Sequence, residues 1–174
     1  MAARFAVEKS LIAGAAGAIE IVAHVPVETA PRAVAIVSHP HPLFGGTMEN
    51  KVTTTLARAM FDAGAATYRH NFRGIGNTEG THDDGRGETD DLLAVIAHAQ
   101  NAFPDRPLWL AGFSFGGAVT LAASEKTAVD EMVLVAPAFS RMSHWANISG
   151  GGKPPLYCLM HTIEKLAHHG YAVQ

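Results

Sequence analysis

The sequence predicts an α/β domain: a mostly parallel central sheet with helices on both faces. Three observations predict it. Short apolar runs alternate with segments of helical periodicity along most of the chain. Those runs are continuous rather than alternating, as strands buried on both faces of a parallel sheet require. A G-x-S-x-G pentapeptide stands between one such run and a helix-like segment.

Taken in order, residues 19–25 and 33–38 read as strands. Residues 50–63 read as a helix, because Val52, Leu56, Ala59, Met60 and Ala63 share one face, and Gly64 marks its stop. Residues 65–72 form the next strand. A polar loop, 79–87, precedes a helix that opens at Glu88 or Thr89 and runs to about Ala102, with Leu92, Val95, Ile96 and Ala99 inward. The acids Glu88, Asp90 and Asp91 are expected in its first turn, where the helix dipole favours negative charge. Residues 108–113 are a strand, 115–124 a helix, and 132–136 and 156–160 further strands. The 108–111 strand is expected to be central, flanked by 33–38 and 65–72. An open sheet of this kind binds its ligands at the carboxyl ends of its strands.

The chain has 174 residues, 48% of them hydrophobic and 17% charged, which fits one globular domain spanning 1–174. Its 13 Lys and Arg against 16 Asp and Glu give a net charge of -3 and no basic stripe, so a nucleic-acid partner is not expected. No apolar stretch has the length of a membrane span. Residues 11–19 imitate a secretory leader only weakly, since Gly14 and Gly17 interrupt them and they lead straight into the first strand. The one cysteine, Cys158, has no partner within the chain for a disulfide, and a cytoplasmic location is the expectation.

The chemistry is expected in three loops, each at a strand's carboxyl end. The first is Gly112-Phe113-Ser114-Phe115-Gly116. A serine on a sharp strand-to-helix turn projects its hydroxyl above the sheet, at a helix N-terminus that favours a developing anion. Ser114 is therefore the candidate nucleophile, and the Phe115 amide a candidate oxyanion donor. The second is Ser38-His39-Pro40-His41-Pro42-Leu43-Phe44-Gly45-Gly46. Pro40 and Pro42 have no amide hydrogen, so His41 or Leu43 must supply any second donor. Phe113, Leu43 and Arg73 are the candidate substrate contacts, with loop bracing the commoner role for an arginine at this place. The third, Asn71 to Gly80, contains G-x-G but matches a dinucleotide fingerprint poorly, because a polar loop follows it instead of a helix.

Together, "SHPHPLFGGTMENK", "NFRGIGNTEG", "GRGETDDLLAVI" and "LWLAGFSFGG" resemble the α/β-hydrolase superfamily, in particular its small bacterial branch similar to dienelactone hydrolases. The likeness runs from about Ala33 to Pro137. It implies an α/β-hydrolase fold, a serine nucleophile and esterase-like hydrolysis of a small ester or acyl compound without a cofactor. It also implies an order of Ser, Asp and His along the chain. No Asp follows Asp130, and Gln174 arrives before a closing strand and histidine loop. On the resemblance the chain is C-terminally incomplete, whether by truncation, frame shift or natural shortening. Glu164 is the candidate substitute acid, with His161, His168 or His169 as base; Glu164 and His168 form an i, i+4 pair, a spacing more often a plain surface contact, and a catalytically silent binding protein of the same fold is the alternative. An incomplete sheet would expose an edge near 156–160 or 171–173, so either marginal stability or self-association is expected.

His39, His41 and His70 raise the question of zinc or copper. Orienting roles within the loop are the preferred reading, and no metal is expected. His82, His98 and His144 read as ordinary surface or partly buried residues.

Overall fold

The computed structural model describes residues 4–138, together with the backbone of a strand at Leu156–Leu159. The elements are β1 (Phe5–Gly14), β2 (Gly17–Pro26), β3 (Ala33–Ser38), a 3-10 turn at Pro42–Phe44, α1 (Lys51–Asp62), β4 (Ala65–His70), α2 (Arg86–Ala102), β5 (Leu108–Phe113), α3 (Phe115–Ser124), β6 (Glu131–Val135) and β7 (Leu156–Leu159). They form one sheet in the order β1-β2-β4-β3-β5-β6-β7. Strands β4, β3, β5, β6 and β7 are mutually parallel, whereas β1 and β2 are antiparallel to their neighbours.

Strand β3 shows why helices cover both faces. Val34 and Ile36 join Leu108, Leu110 and the inward residues of α2 and α3 in the larger core cluster. Ala33, Ala35 and Val37 point the other way, toward Ala57 and Met60 of α1. Side chains alternate across a strand, so an unbroken apolar run serves both layers. The α1 layer is built largely from alanine, and the α2–α3 layer from Ile, Leu, Val and Phe.

Two expectations are corrected. The sheet places β4 beyond β3, so β5 is flanked by β3 and β6 rather than by β3 and β4. The chain leaves β3 through α1 to β4 on one side, then returns through α2 to β5 on the other. The carboxyl ends of β3 and β5 therefore meet where the winding reverses, the place where open α/β sheets bind ligands. The second correction concerns residues 11–19: the strand expected first, at 19–25, is the second, and β1 precedes it. Residues 11–19 close a hairpin in which Gly14 pairs with Gly17 and β1 lies along β2. Most of β1 is exposed, with Leu11 at the surface, so its pattern lacks the buried face that periodicity detects.

Smaller shifts concern boundaries. β4 stops at His70, two residues before the expected end, although the Asn71 amide still donates to Glu20 O of β2. Helix α2 begins at Arg86 rather than at Glu88 or Thr89. Glu88 reaches back to accept from the Gly85 amide, which brings the start of the helix forward. Only Glu88 of the three acids lies in the first turn. No helix among the described residues is long and apolar enough to cross a membrane.

Candidate active site

The strand-to-helix turn is fixed by steric constraint. Ser114 has φ 54° and ψ −117°, a region that side chains other than glycine's rarely occupy, and it precedes the first turn of α3. Three backbone bonds hold it there. Its amide donates to Val135 O at 2.9 Å, and its carbonyl accepts from Ala118 N at 3.2 Å and Ala138 N at 2.9 Å. The glycines at either side allow the close approach. A Cβ on Gly112 would run into Gly116 O, and one on Gly116 into the carbonyls of Ser38 and His39. The turn therefore packs directly on the end of β3. Ser114 and Phe113 are half-buried, while the Phe115 ring is fully buried against Phe72, with ring centroids 5.5 Å apart. The Phe115 side chain is core, and only its amide remains a site candidate.

The loop after β3 is fixed by its histidines. His39 is fully buried; its Nδ1 lies 2.6 Å from Pro40 O, and its Nε2 accepts from the Phe72 amide at 3.0 Å. These partners require the neutral tautomer with the proton on Nδ1. Burial, opposed only by the bond to Pro40, pushes His39 down to about 4. His70 is also fully buried, with Nε2 3.2 Å from Ser38 Oγ. Burial, with His39 adding to it, pushes His70 down to about 3. Both rings pack on Phe72. His41 accepts on Nδ1 from the Leu43 amide at 3.2 Å, and its carbonyl accepts from Phe44 N and Gly46 N. With Leu43 N committed to that ring, the second oxyanion candidate is the His41 amide. Leu43 and Phe44 stand out into solvent at 67% and 71% exposure.

Arg73 corrects the expectation of a substrate contact. Its Nε and Nη2 form a bidentate pair with Asp91, both bonds 2.8 Å, and Nη2 also donates to Gly87 O at 2.8 Å. The two side chains are 10% and 2% exposed. The Asp91 hydrogen bonds hold the guanidinium above its usual range. Arg73 thus braces the loop after β4 against α2.

The remainder of that loop is polar and well connected. The Asn71 side chain accepts from Met48 N and donates to Glu20, which also accepts from the Asn77 amide and side chain. The Asn77 amide is the largest influence holding Glu20 below its usual range. His82 is the residue the sequence did not single out. Its side chain is 13% exposed, and its ring lies 4.9 Å from that of His41 and 5.4 Å from that of Phe115. Its Nδ1 is 2.8 Å from Oε1 of the fully buried Glu88, off the line a hydrogen bond needs. The only signal in the sequence was Glu88 three residues after Gly85, the spacing of a helix start.

Among the described residues, no group of three or more His, Cys, Asp or Glu is arranged to hold a metal ion. His39 has both ring nitrogens committed to the backbone, which separates His39, His41 and His70 as ligands. Glu164 and His168 lie outside the described residues, as do residues 171–173.

This sheet and its strand-to-helix turn define an α/β serine hydrolase scaffold, and comparison with known proteins narrows it. Residues 29–174 match the family described as serine aminopeptidase, S33, and the chain belongs to it. An α/β serine hydrolase without lid from Xanthomonas campestris is 33% identical, with a TM-score of 0.79 over 87% of this chain and 70% of that one. An α/β serine hydrolase homologue from Coxiella burnetii is 31% identical, with a TM-score of 0.80 over 96% and 86%. A curated relative, an uncharacterized protein of Rickettsia prowazekii (strain Madrid E), is 39% identical over 95 residues, 53% of this chain. That match spans 40% of the relative's own length.

Proposed function

We propose that the chain carries an esterase-like serine hydrolase centre for a small ester or related acyl compound, with Ser114 as nucleophile. The observation that carries the reading is the strained backbone of Ser114 at the strand-to-helix turn, in a chain of this family. Ser114 Oγ attacks the carbonyl carbon and its proton passes to a base. The carbonyl oxygen becomes an oxyanion, held by the amides of Phe115 and His41, and the alcohol leaves. Water then releases the acyl group. Glu164 and His168 are the acid and base of this proposal. Phe113 and Leu43 border the acyl group, and no cofactor takes part.

The alternative is a binding protein of the same fold without turnover, the reading that holds if Ser114 finds no base. Loss of a triad member leaves roughly 10³–10⁴ of rate over water, so weak turnover is the expected behaviour of a chain with substituted partners. A fluorophosphonate probe decides between the two. Covalent label on Ser114 that vanishes in Ser114→Ala supports the hydrolase; a folded chain without label supports the binding protein. Short-chain nitrophenyl esters and an aminoacyl anilide, assayed side by side, separate ester from amide substrates.

A further inference from the structure

We propose that His82 is a positioning residue that sets the His41 turn against Phe115, so that the β4–α2 loop controls the oxyanion side of the site. The proposal rests on the reading of Ser114 given above. Its basis is a closed triangle of rings. His41 lies 4.7 Å from Phe115, His82 lies 4.9 Å from His41, and His82 lies 5.4 Å from Phe115. These rings come from three separate segments: the turn after β3, the loop after β4 and the first residue of α3. The two residues proposed to donate amides to the oxyanion are the two whose side chains meet His82.

His82 is itself held from a rigid place. Glu88 is fully buried in the first turn of α2, with Oε1 accepting from Asp83 N and Oε2 from Gly85 N, each at 2.9 Å. A carboxylate fixed in this way is an anchor for a ring rather than a mobile surface charge. Asp84 Oδ1 stands 3.3 Å from Nε2 on the other side of the imidazole. A line of contact therefore runs from the start of α2, through Glu88 and His82, to His41 and Phe115. Positioning of this kind matters because oxyanion donors act only when aimed at the place where charge develops. A surface histidine would be largely exposed and would turn freely; at 13% exposure, between two carboxylates and two rings, this one does neither.

The test compares His82→Ala, which removes the ring, with His82→Phe, which keeps it. The first readout is the NMR position of the His41 amide and the Overhauser contact between the His41 and Phe115 rings. In His82→Ala the amide resonance moves and the contact is lost, while resonances of Val34 and Leu110 in the sheet stay in place; His82→Phe preserves both. The second readout is the rate at which a fluorophosphonate labels Ser114. It falls about tenfold in His82→Ala, part of the 10²–10³ that losing one oxyanion donor costs, and His82→Phe recovers most of it. An unmoved His41 amide with the ring contact intact overturns the proposal, as does an unchanged labelling rate in a wild type that labels. If the wild type does not label, the Ser114 reading fails, and the His41 resonances alone decide whether His82 positions the turn. If His82→Ala does not fold, His82→Gln, polar but without a ring, takes its place and is expected to move the His41 amide in the same way.

Discussion

The turn at 112–116 and the loop at 71–88 meet at Phe115, yet they are held by different forces. The turn is steric. Two glycines let backbone lie on backbone, and Ser114 is locked by three main-chain bonds in a conformation that costs energy. The loop is electrostatic. Arg73 with Asp91, Glu20 with Asn71 and Asn77, and Glu88 with the Asp83 and Gly85 amides hold it by directed polar contacts. A steric lock can be recognised from a pentapeptide, because only small residues fit at fixed offsets. A polar lock depends on partners far apart in sequence.

The comparison can be broken from either side, and the largest effect is expected in function. Ser114→Ala should abolish fluorophosphonate labelling and lower any ester turnover by about 10³-fold or more. Retained labelling in that variant would remove Ser114 from the mechanism. On the loop side, Asp91→Ala leaves the Arg73 guanidinium buried without its partner. A loss of about 3–5 kcal/mol in denaturant unfolding is expected. A loss under about 1 kcal/mol would show that water reaches Arg73 and that the loop is not locked by this pair.

Acid should act beneath the place where the two regions meet, since His39 and His70 both pack on Phe72. His39 is pushed down to about 4 and His70 to about 3, against 6.5 for the ordinary group. Below pH 6.5 the unfolded chain takes up protons that these buried rings refuse, so stability is full above pH 6.5 and falls as the pH drops toward those values. The slope near pH 5 should be on the order of 2–3 kcal/mol per pH unit. The His39→Gln variant, which cannot titrate, should lose roughly half of that slope; an unchanged slope would assign the acid sensitivity to other groups.

The smallest effect concerns strain. Ser114→Gly should stabilise the fold by about 1 kcal/mol, because glycine adopts the positive φ at less cost. A melting temperature that stays the same or falls would show that the backbone at 114 is not strained.

By itself the sequence determined the order and type of the elements from β3 to β6, and the place of Ser114 on a strand-to-helix turn. Short, β-branched apolar runs such as Ala33–Ser38 suit strands buried on both faces, and Gly112 and Gly116 around a serine suit a tight strand-to-helix turn. The exposed strand β1 carries no periodic face, so its apolar residues imitated another kind of segment. Tertiary structure alone decided that β3 separates β4 from β5, since each αβ unit can add its strand on either side and local pattern does not choose. It also decided what Arg73 and His82 touch. A charged or titratable side chain takes its role from what lies across from it, and Asp91, Glu88 and His41 reach these two only when α2 and the β3 turn close over the loop.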